Sequence, residues 1–424
     1  MKLPDKNIWI LLILFLLVFC THYESNVVTP SDSRWTIPTA FSILKEHTSS
    51  LDQYHDQLLW SQYYAIDSVN HHYYSKFPIG TTLIALPFVY VIDKFSKRVL
   101  RMDIYQKEIE DPYTGIELLI ASFLVALTAV FIFLIAKLIL KSYFLSVLIT
   151  FIFAFCTSAW STASRALWPH GPSMLVLSMA LYLLLKAKEK PKLVIWSALP
   201  LAFSYVIRAT DFLPILFLSI YIFVNYRSYF IRYVLMSLVI AIPFFIYNYS
   251  IYKTLFTPYY LGYNQGHCAN YPEAIIGNLF SPARGLFIFS PILLFSIVGM
   301  IVRLKNNTFK RLDFYMVIML LTYLLFFSWM KLWWAGWCFG PRYFTDVLPF
   351  LIYFLIMAFK WIGEKGTTSK LTFTCLLIPL IVASFYINYR GATHWSTWEW
   401  NYKPNYISDH TERLWQWNDL QFLR

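Results

Sequence analysis

Charge is what this sequence has least of. Asp, Glu, Lys and Arg make up 14% of its 424 residues, where soluble globular chains carry about a quarter. With 58% hydrophobic residues and a mean hydropathy of +0.52, that deficit excludes an ordinary soluble domain and predicts a polytopic membrane protein. A Gly-rich phosphate loop and a Walker motif are also missing, so an energy-coupled pump or a cytosolic nucleotide-sugar enzyme lacks its machinery. The five cysteines, Cys20, Cys156, Cys268, Cys338 and Cys375, are scattered without metal-ligand spacing. Only Cys268 and Cys338 fall in loops where a disulfide is conceivable. His71-His72 has no ligand spacing behind it, so neither a metal nor another cofactor is indicated. Lys2 and Lys6 before the apolar run 8–19 resemble a secretory signal, but Cys20-Thr21-His22-Tyr23 offers no small-residue cleavage site. The stretch reads as an uncleaved first membrane helix.

Aromatics, by contrast, reach 20%, with 16 Trp and 31 Tyr, which suits interfacial belts at many helix ends. The net charge of +12 does not point to nucleic acid, because most Lys and Arg sit in short gaps between apolar runs and act as topology determinants. Apolar runs of spanning length fall near 7–22, 115–136, 143–160, 172–185, 193–208, 211–225, 233–251, 286–302, 313–330, 344–361 and 371–388. Run 77–92 is ambiguous. If it does not cross, all five basic gaps fall on the side of Lys2 and Lys6, so it reads as a helix at the outer interface. The expectation is an all-α membrane protein of about eleven transmembrane helices, with the N-terminus cytoplasmic and the C-terminus outside. Residues 1–388 form its membrane domain, 23–114 the first outer loop and 389–424 a Trp-rich outer tail. Only short basic turns face inward, so any chemistry belongs to the outer face.

The first outer loop carries the densest candidates. Asp32-Ser33-Arg34-Trp35 precedes apolar positions 37, 40/41 and 44, the spacing of an amphipathic helix on a membrane surface. Asp32 reads either as that helix's N-cap or as a fixed carboxylate with work to do. Lys76 stands before Phe77-Pro78, the start of a second interfacial helix. There it is either an anion site reinforced by the helix dipole or a snorkelling Lys. Further loops supply Arg165 and His170, an Arg208–Asp211 turn that reads as a structural ion pair, Arg284 in Ser281-Pro282-Ala283-Arg284-Gly285, and Arg342 after a Trp cluster at 333–337. Arg forks suit phosphate, and flat Trp faces suit headgroup anchoring or sugar stacking.

An acid followed by x-Arg-aromatic after the first span, an amphipathic helix, and then a Lys close to Pro at a second interfacial helix resembles the C-type (GT-C) membrane glycosyltransferases. The lipid A aminoarabinose transferase and the protein O-mannosyltransferases are well-described members. Stretches 74–78, 167–172, 281–285, 336–342 and 415–424 resemble a less characterised bacterial group of such proteins. The resemblance implies a sugar transferred from a polyprenyl-phosphate donor to a glycan, lipid or protein hydroxyl at the outer face of a bacterial inner membrane, with membrane lipids as partners. It implies Asp32 as catalytic base and Arg34 and Lys76 beside the donor phosphate, where Arg284 and Arg342 are further candidates. The paired acids frequent in this loop are reduced here to Asp32-Ser33, so Asp52, Asp56 or Asp67 could supply a second acid. The Lys-Pro-Pro opening is replaced by Lys76-Phe77-Pro78. A flippase or transporter of lipid-linked saccharides would use the same outer surface but needs charges deep in its spans. A non-catalytic scaffold would use Asp32 as a cap alone.

Overall fold

The computed structural model describes residues 5–29, 31–60, 65–110, 115–257, 259–260, 266–305 and 311–424. Helix α1 (Asp5–Tyr23) leads into the first loop, which holds α2 (Thr36–Lys45), α3 (His55–Trp60), strands β1 (Ile66–Val69) and β2 (His72–Ser75), α4 (Gly80–Phe95) and α5 (Ile104–Glu110). The membrane helices continue with α6 (Ile116–Leu140), α7 (Tyr143–Phe155), α8 (His170–Ala187), α9 (Leu193–Ile207), α10 (Phe212–Asn225) and α11 (Arg227–Tyr252). After them come α12 (Tyr271–Phe280), α13 (Leu286–Phe289), α14 (Leu294–Lys305), α15 (Leu312–Trp329), α16 (Leu348–Gly363), α17 (Thr367–Thr393) and α18 (Ser396–Glu399).

Five helices, α6, α8, α11, α15 and α17, are long and apolar enough to cross a membrane, and shorter apolar helices accompany them. The protein is thus an all-α polytopic membrane protein. Where runs end, local chemistry explains it. Ser142 Oγ caps α7 by accepting from Leu145 N–H at 3.3 Å, while α6 and α11 stop where Lys141 and Lys253 take left-handed conformations. The expected span 286–302 is not one helix. Ser290 leaves helical geometry before Pro291, as a residue preceding proline tends to do, and α14 starts afresh at Leu294. The core is centred on α16, whose residues 348–359 are all buried. It packs closely on α14, where a Cβ at Gly299 would lie 1.8 Å from the Phe354 carbonyl oxygen.

In the first loop, the helix expected after Asp32 begins at Thr36 with Trp35 at the N-cap position and no side-chain cap. The helix expected from Pro78 runs from Gly80 to Phe95, packed against α2 and the end of α9. Sequence periodicity missed the antiparallel hairpin β1–β2, in which Asp67 faces Tyr74. Its turn, Asn70-His71, has both residues at positive φ, the conformation a two-residue hairpin demands, and neither is glycine.

Candidate functional site at the Asp32 loop cluster

Five loops distant in sequence converge near Asp32. The segment leading to it is fixed by Arg165, which is fully buried. Arg165 donates from Nη1 to the Ser25 and Val27 carbonyls at 2.8 and 3.3 Å, from Nη2 to His22 O, and from Nε to Trp160 O at 3.1 Å. Glu117, at the start of α6, then holds the Asp32 turn from the other side. Its carboxylate accepts from Ser33 Oγ at 2.6 Å and from Leu167 N–H at 3.2 Å, with Arg34 as a neighbouring cation. Glu117 escaped the sequence reading because an acid in the first turn of an apolar helix looks like an ordinary dipole partner.

So held, Asp32 forms an ion pair with Arg342, Nη1 to Oδ2 2.7 Å, across 310 residues. The Arg342 guanidinium lies over the Trp168 ring, 4.6 Å from its centroid. Burial works against its charge, but Asp32 together with Cys338 and Tyr343 outweighs it and raises its pKa above the usual range. Arg342 Nε and Trp168 Nε1 are buried without a hydrogen-bond partner among the described residues. Buried donors of this kind are uncommon. The half-buried Tyr259 is an electrostatic neighbour of Asp32, Arg342, Arg208 and Asp346 together, and Phe77 packs edge-on against it at 5.7 Å.

Beneath this pair lies a second network. Buried Asp346 accepts from Tyr323 Oη at 2.8 Å, its Oδ1 lies 2.6 Å from His170 Nδ1, and its Oδ2 forms an ion pair at 3.0 Å with Arg208, whose Nε donates to Thr210 Oγ1 at 2.7 Å. Arg208 Nη1 sits 2.9 Å from His170 Nε2. The same Nη1 lies 2.6 Å from His170 Nδ1, so the guanidinium faces the whole edge of the imidazole. The Arg208–Asp211 pair expected from sequence proximity is corrected here: Arg208 pairs with Asp346, and Asp211 accepts from Ser173 Oγ. Asp346 was hidden in the apolar run 344–361, although an acid at the edge of a span marks a needed partner.

The remaining sequence candidates divide. Half-buried Lys76 stands at the foot of the hairpin and acts on Asp67, whose pKa is raised by burial against the pull of Lys76. Next to it, Phe77 joins the Tyr259 wall. Asp52 faces the hairpin instead, accepting from Tyr73 N–H at 2.9 Å and contacting His72 at 2.6 Å. Burial raises its pKa, but these bonds outweigh it and leave the carboxyl below its ordinary value. Asp56 is exposed on α3. Arg284 is the clear departure from expectation. Its Nε donates to Trp334 O (3.0 Å), Nη1 to Ala283 O (2.8 Å) and Gln421 Oε1 (2.9 Å), and Nη2 to Gly336 O (3.2 Å) and Asn401 Oδ1 (2.8 Å). All five of its donors are used within the protein, and it is buried, so it ties loop to tail and has none left for a ligand. Cys268 and Cys338 are free thiols, and among the described residues no cluster of His, Cys, Asp and Glu could hold a metal.

This polytopic, almost entirely helical fold has a counterpart among solved structures. The solved apo structure of ArnT from Cupriavidus metallidurans aligns with it at a TM-score of 0.52, covering 93% of this chain and 68% of ArnT. With 14% of residues identical, the likeness is one of fold. No family model matches the sequence, and no curated protein matches it either.

Proposed function

We propose that the protein is a membrane glycosyltransferase that moves a sugar from a polyprenyl-phosphate donor to an acceptor hydroxyl at the outer face of the membrane. The observation that carries this reading is the Asp32–Arg342 pair, an acid and a cation brought together from opposite ends of a C-type fold. The acceptor oxygen attacks the anomeric carbon, its proton passes to Asp32, and the bond from that carbon to the phosphate oxygen breaks. A base for the hydroxyl and cations for the departing phosphate are what such a displacement requires. Arg342, with Nε and the nearby Trp168 Nε1 still able to donate, is the foremost phosphate ligand; Lys76 and Arg34 of the first loop are the further candidates. An arriving phosphate competes with Asp32 for Arg342 and so frees the carboxylate to accept the proton. Asp346 and His170 touch no donor in this scheme. They position Arg208, the second buried cation beneath the pair.

Buried charges are also what a saccharide transporter would need, but here they gather at helix ends. His170 opens α8, Arg208 follows α9, Asp211 precedes α10 and Asp346 precedes α16. No charged path runs through the described spans by way of these residues, which favours the enzyme.

The test is transfer from a polyprenyl-phosphate sugar by purified protein in liposomes. Asp32→Asn should accumulate normally and lose about 10²–10⁴ of the rate, the usual contribution of a general base. Arg342→Ala should weaken use of donor by roughly ten- to a hundredfold, the equivalent of about 1.5–3 kcal/mol for a hydrogen bond to a charged group. Full activity in Asp32→Asn would exclude it as the base and shift the search to Glu117 and Asp67.

A further inference from the structure

The C-terminal segment encloses an open cleft of about 570 Å³, within the range of small-molecule sites and separate from the Asp32 cluster. Its lining holds two carboxylates and two guanidiniums, Glu412 and Asp419 against Arg413 and Arg424. These charges are already engaged. Asp419 accepts from Arg413 Nη2 at 2.9 Å and from Arg424 Nε at 2.8 Å, and Glu412 pairs with His410 at 2.9 Å. The cleft therefore presents no surplus charge to draw an ion, in contrast to the arginines near Asp32. It offers instead exposed amide side chains, Gln416 and Asn418, beside Trp417, a residue 59% exposed. A flat apolar face bordered by uncharged donors and acceptors matches a sugar ring, which carries C–H groups on its face and hydroxyls around its edge.

The frame around the cleft is held by buried polar contacts. Arg413, itself buried, lies 4.3 Å from the Trp400 ring centroid and donates to the Asn405 and Lys403 carbonyls at 2.6 and 3.0 Å. Gln421 anchors the same segment to the loop that ends in Arg342, donating to Cys338 O at 2.9 Å and accepting from Gly340 N–H at 3.2 Å. A ligand in the cleft is thus linked through Gln421 and Gly340 to the neighbour of the Asp32 carboxylate. We propose that this cleft binds a neutral oligosaccharide. That the saccharide is the acceptor of transfer rests on the function proposed above; that it binds does not.

The experiment uses the full chain in lipid nanodiscs, with maltohexaose, cellohexaose and laminarihexaose as neutral probes and trigalacturonate as the anionic one. Saturation-transfer difference NMR reads binding without any transfer reaction, so failure here and failure of the transferase reading are separable. At least one neutral hexamer should receive saturation above empty nanodiscs. Trp417→Ala should weaken that binding about tenfold, and Trp417→Phe, which keeps a flat ring, by no more than about threefold. Trp417 is exposed, and the unfolding temperature of each variant checks that the fold is intact. No signal from any hexamer, equal binding by Trp417→Ala, or binding of trigalacturonate alone would each overturn the proposal.

Discussion

Two arginines with the same outward signature, each just above a span on the same side, have opposite fates in the folded chain. Arg342 keeps a buried Nε unpartnered among the described residues and faces Asp32. Arg284 spends every donor on Trp334, Ala283, Gln421, Gly336 and Asn401. Residue type fixes what a guanidinium can bind, whereas acceptor count decides whether any capacity is left. Removing Arg284 strands several buried acceptors, each costing about 1–3 kcal/mol when left unsatisfied. Arg284→Ala should therefore lower thermal stability in detergent by more than about 3 kcal/mol, and Arg284→Lys, with three donors, should recover part of it. Normal stability in Arg284→Ala, with loss confined to donor use, would return Arg284 to the list of ligands.

At the scale of elements, α4 is the piece that brings the first loop to the bundle. Its first residue, Gly80, meets the backbone at the end of α9. A Cβ there would lie 2.5 Å from Val206 O and 2.6 Å from Ile207 N, immediately before Arg208. Only a residue without a side chain allows that approach. Gly80→Ala should force α4 away from α9, with an overpacking cost of about 1–3 kcal/mol readable as a drop in unfolding temperature. Because Lys76 and Phe77 lie just upstream, activity should fall with it. A change below about 0.5 kcal/mol would mean that α4 is seated more loosely than the close backbone approach implies. The neighbouring helix α2 has a simpler basis. Its residues 36–42 are all buried, so packing rather than a cap secures it, and Asp32 is released from capping duty.

The whole molecule places its charge cluster at one end of the bundle, and the proposed reaction requires that end to be outside. In a variant stripped of native cysteines, Ser68→Cys and Asp409→Cys, both at exposed positions, should react with an impermeant thiol reagent applied from outside. Glu364→Cys, exposed between α16 and α17, should not. Labelling at 409 only from the inside would mean that one more segment crosses, with α4 the first candidate. The outer-face mechanism would then fail, because lipid-linked donor and site would be on opposite sides. The C-terminal segment belongs to this scale as well. Through Asn401, Gln421 and Phe422 it contacts Arg284, the Cys338–Gly340 loop and Phe289 of α13, which makes it an integral cover of the bundle.

Composition and periodicity alone determined the membrane class, most helix positions and, of the four α-helices described in the first loop, α2 and α4. Those features depend on burial of apolar runs, which is local in sequence, and on the basic turns between them. The Asp32 turn and the last arginine of the Trp-rich loop were also visible as chemistry. Their pairing was not, because 310 residues separate them and no period relates positions that far apart. Tertiary structure decided which cations are spent and which are available, exchanging Asp211 for Asp346 as the partner of Arg208. It also formed the hairpin at 66–75 and drew Glu117 under the Asp32 turn. Each outcome rests on how many acceptors surround a buried polar group once distant loops close over it. That number is a property of packing, and a linear sequence does not record it.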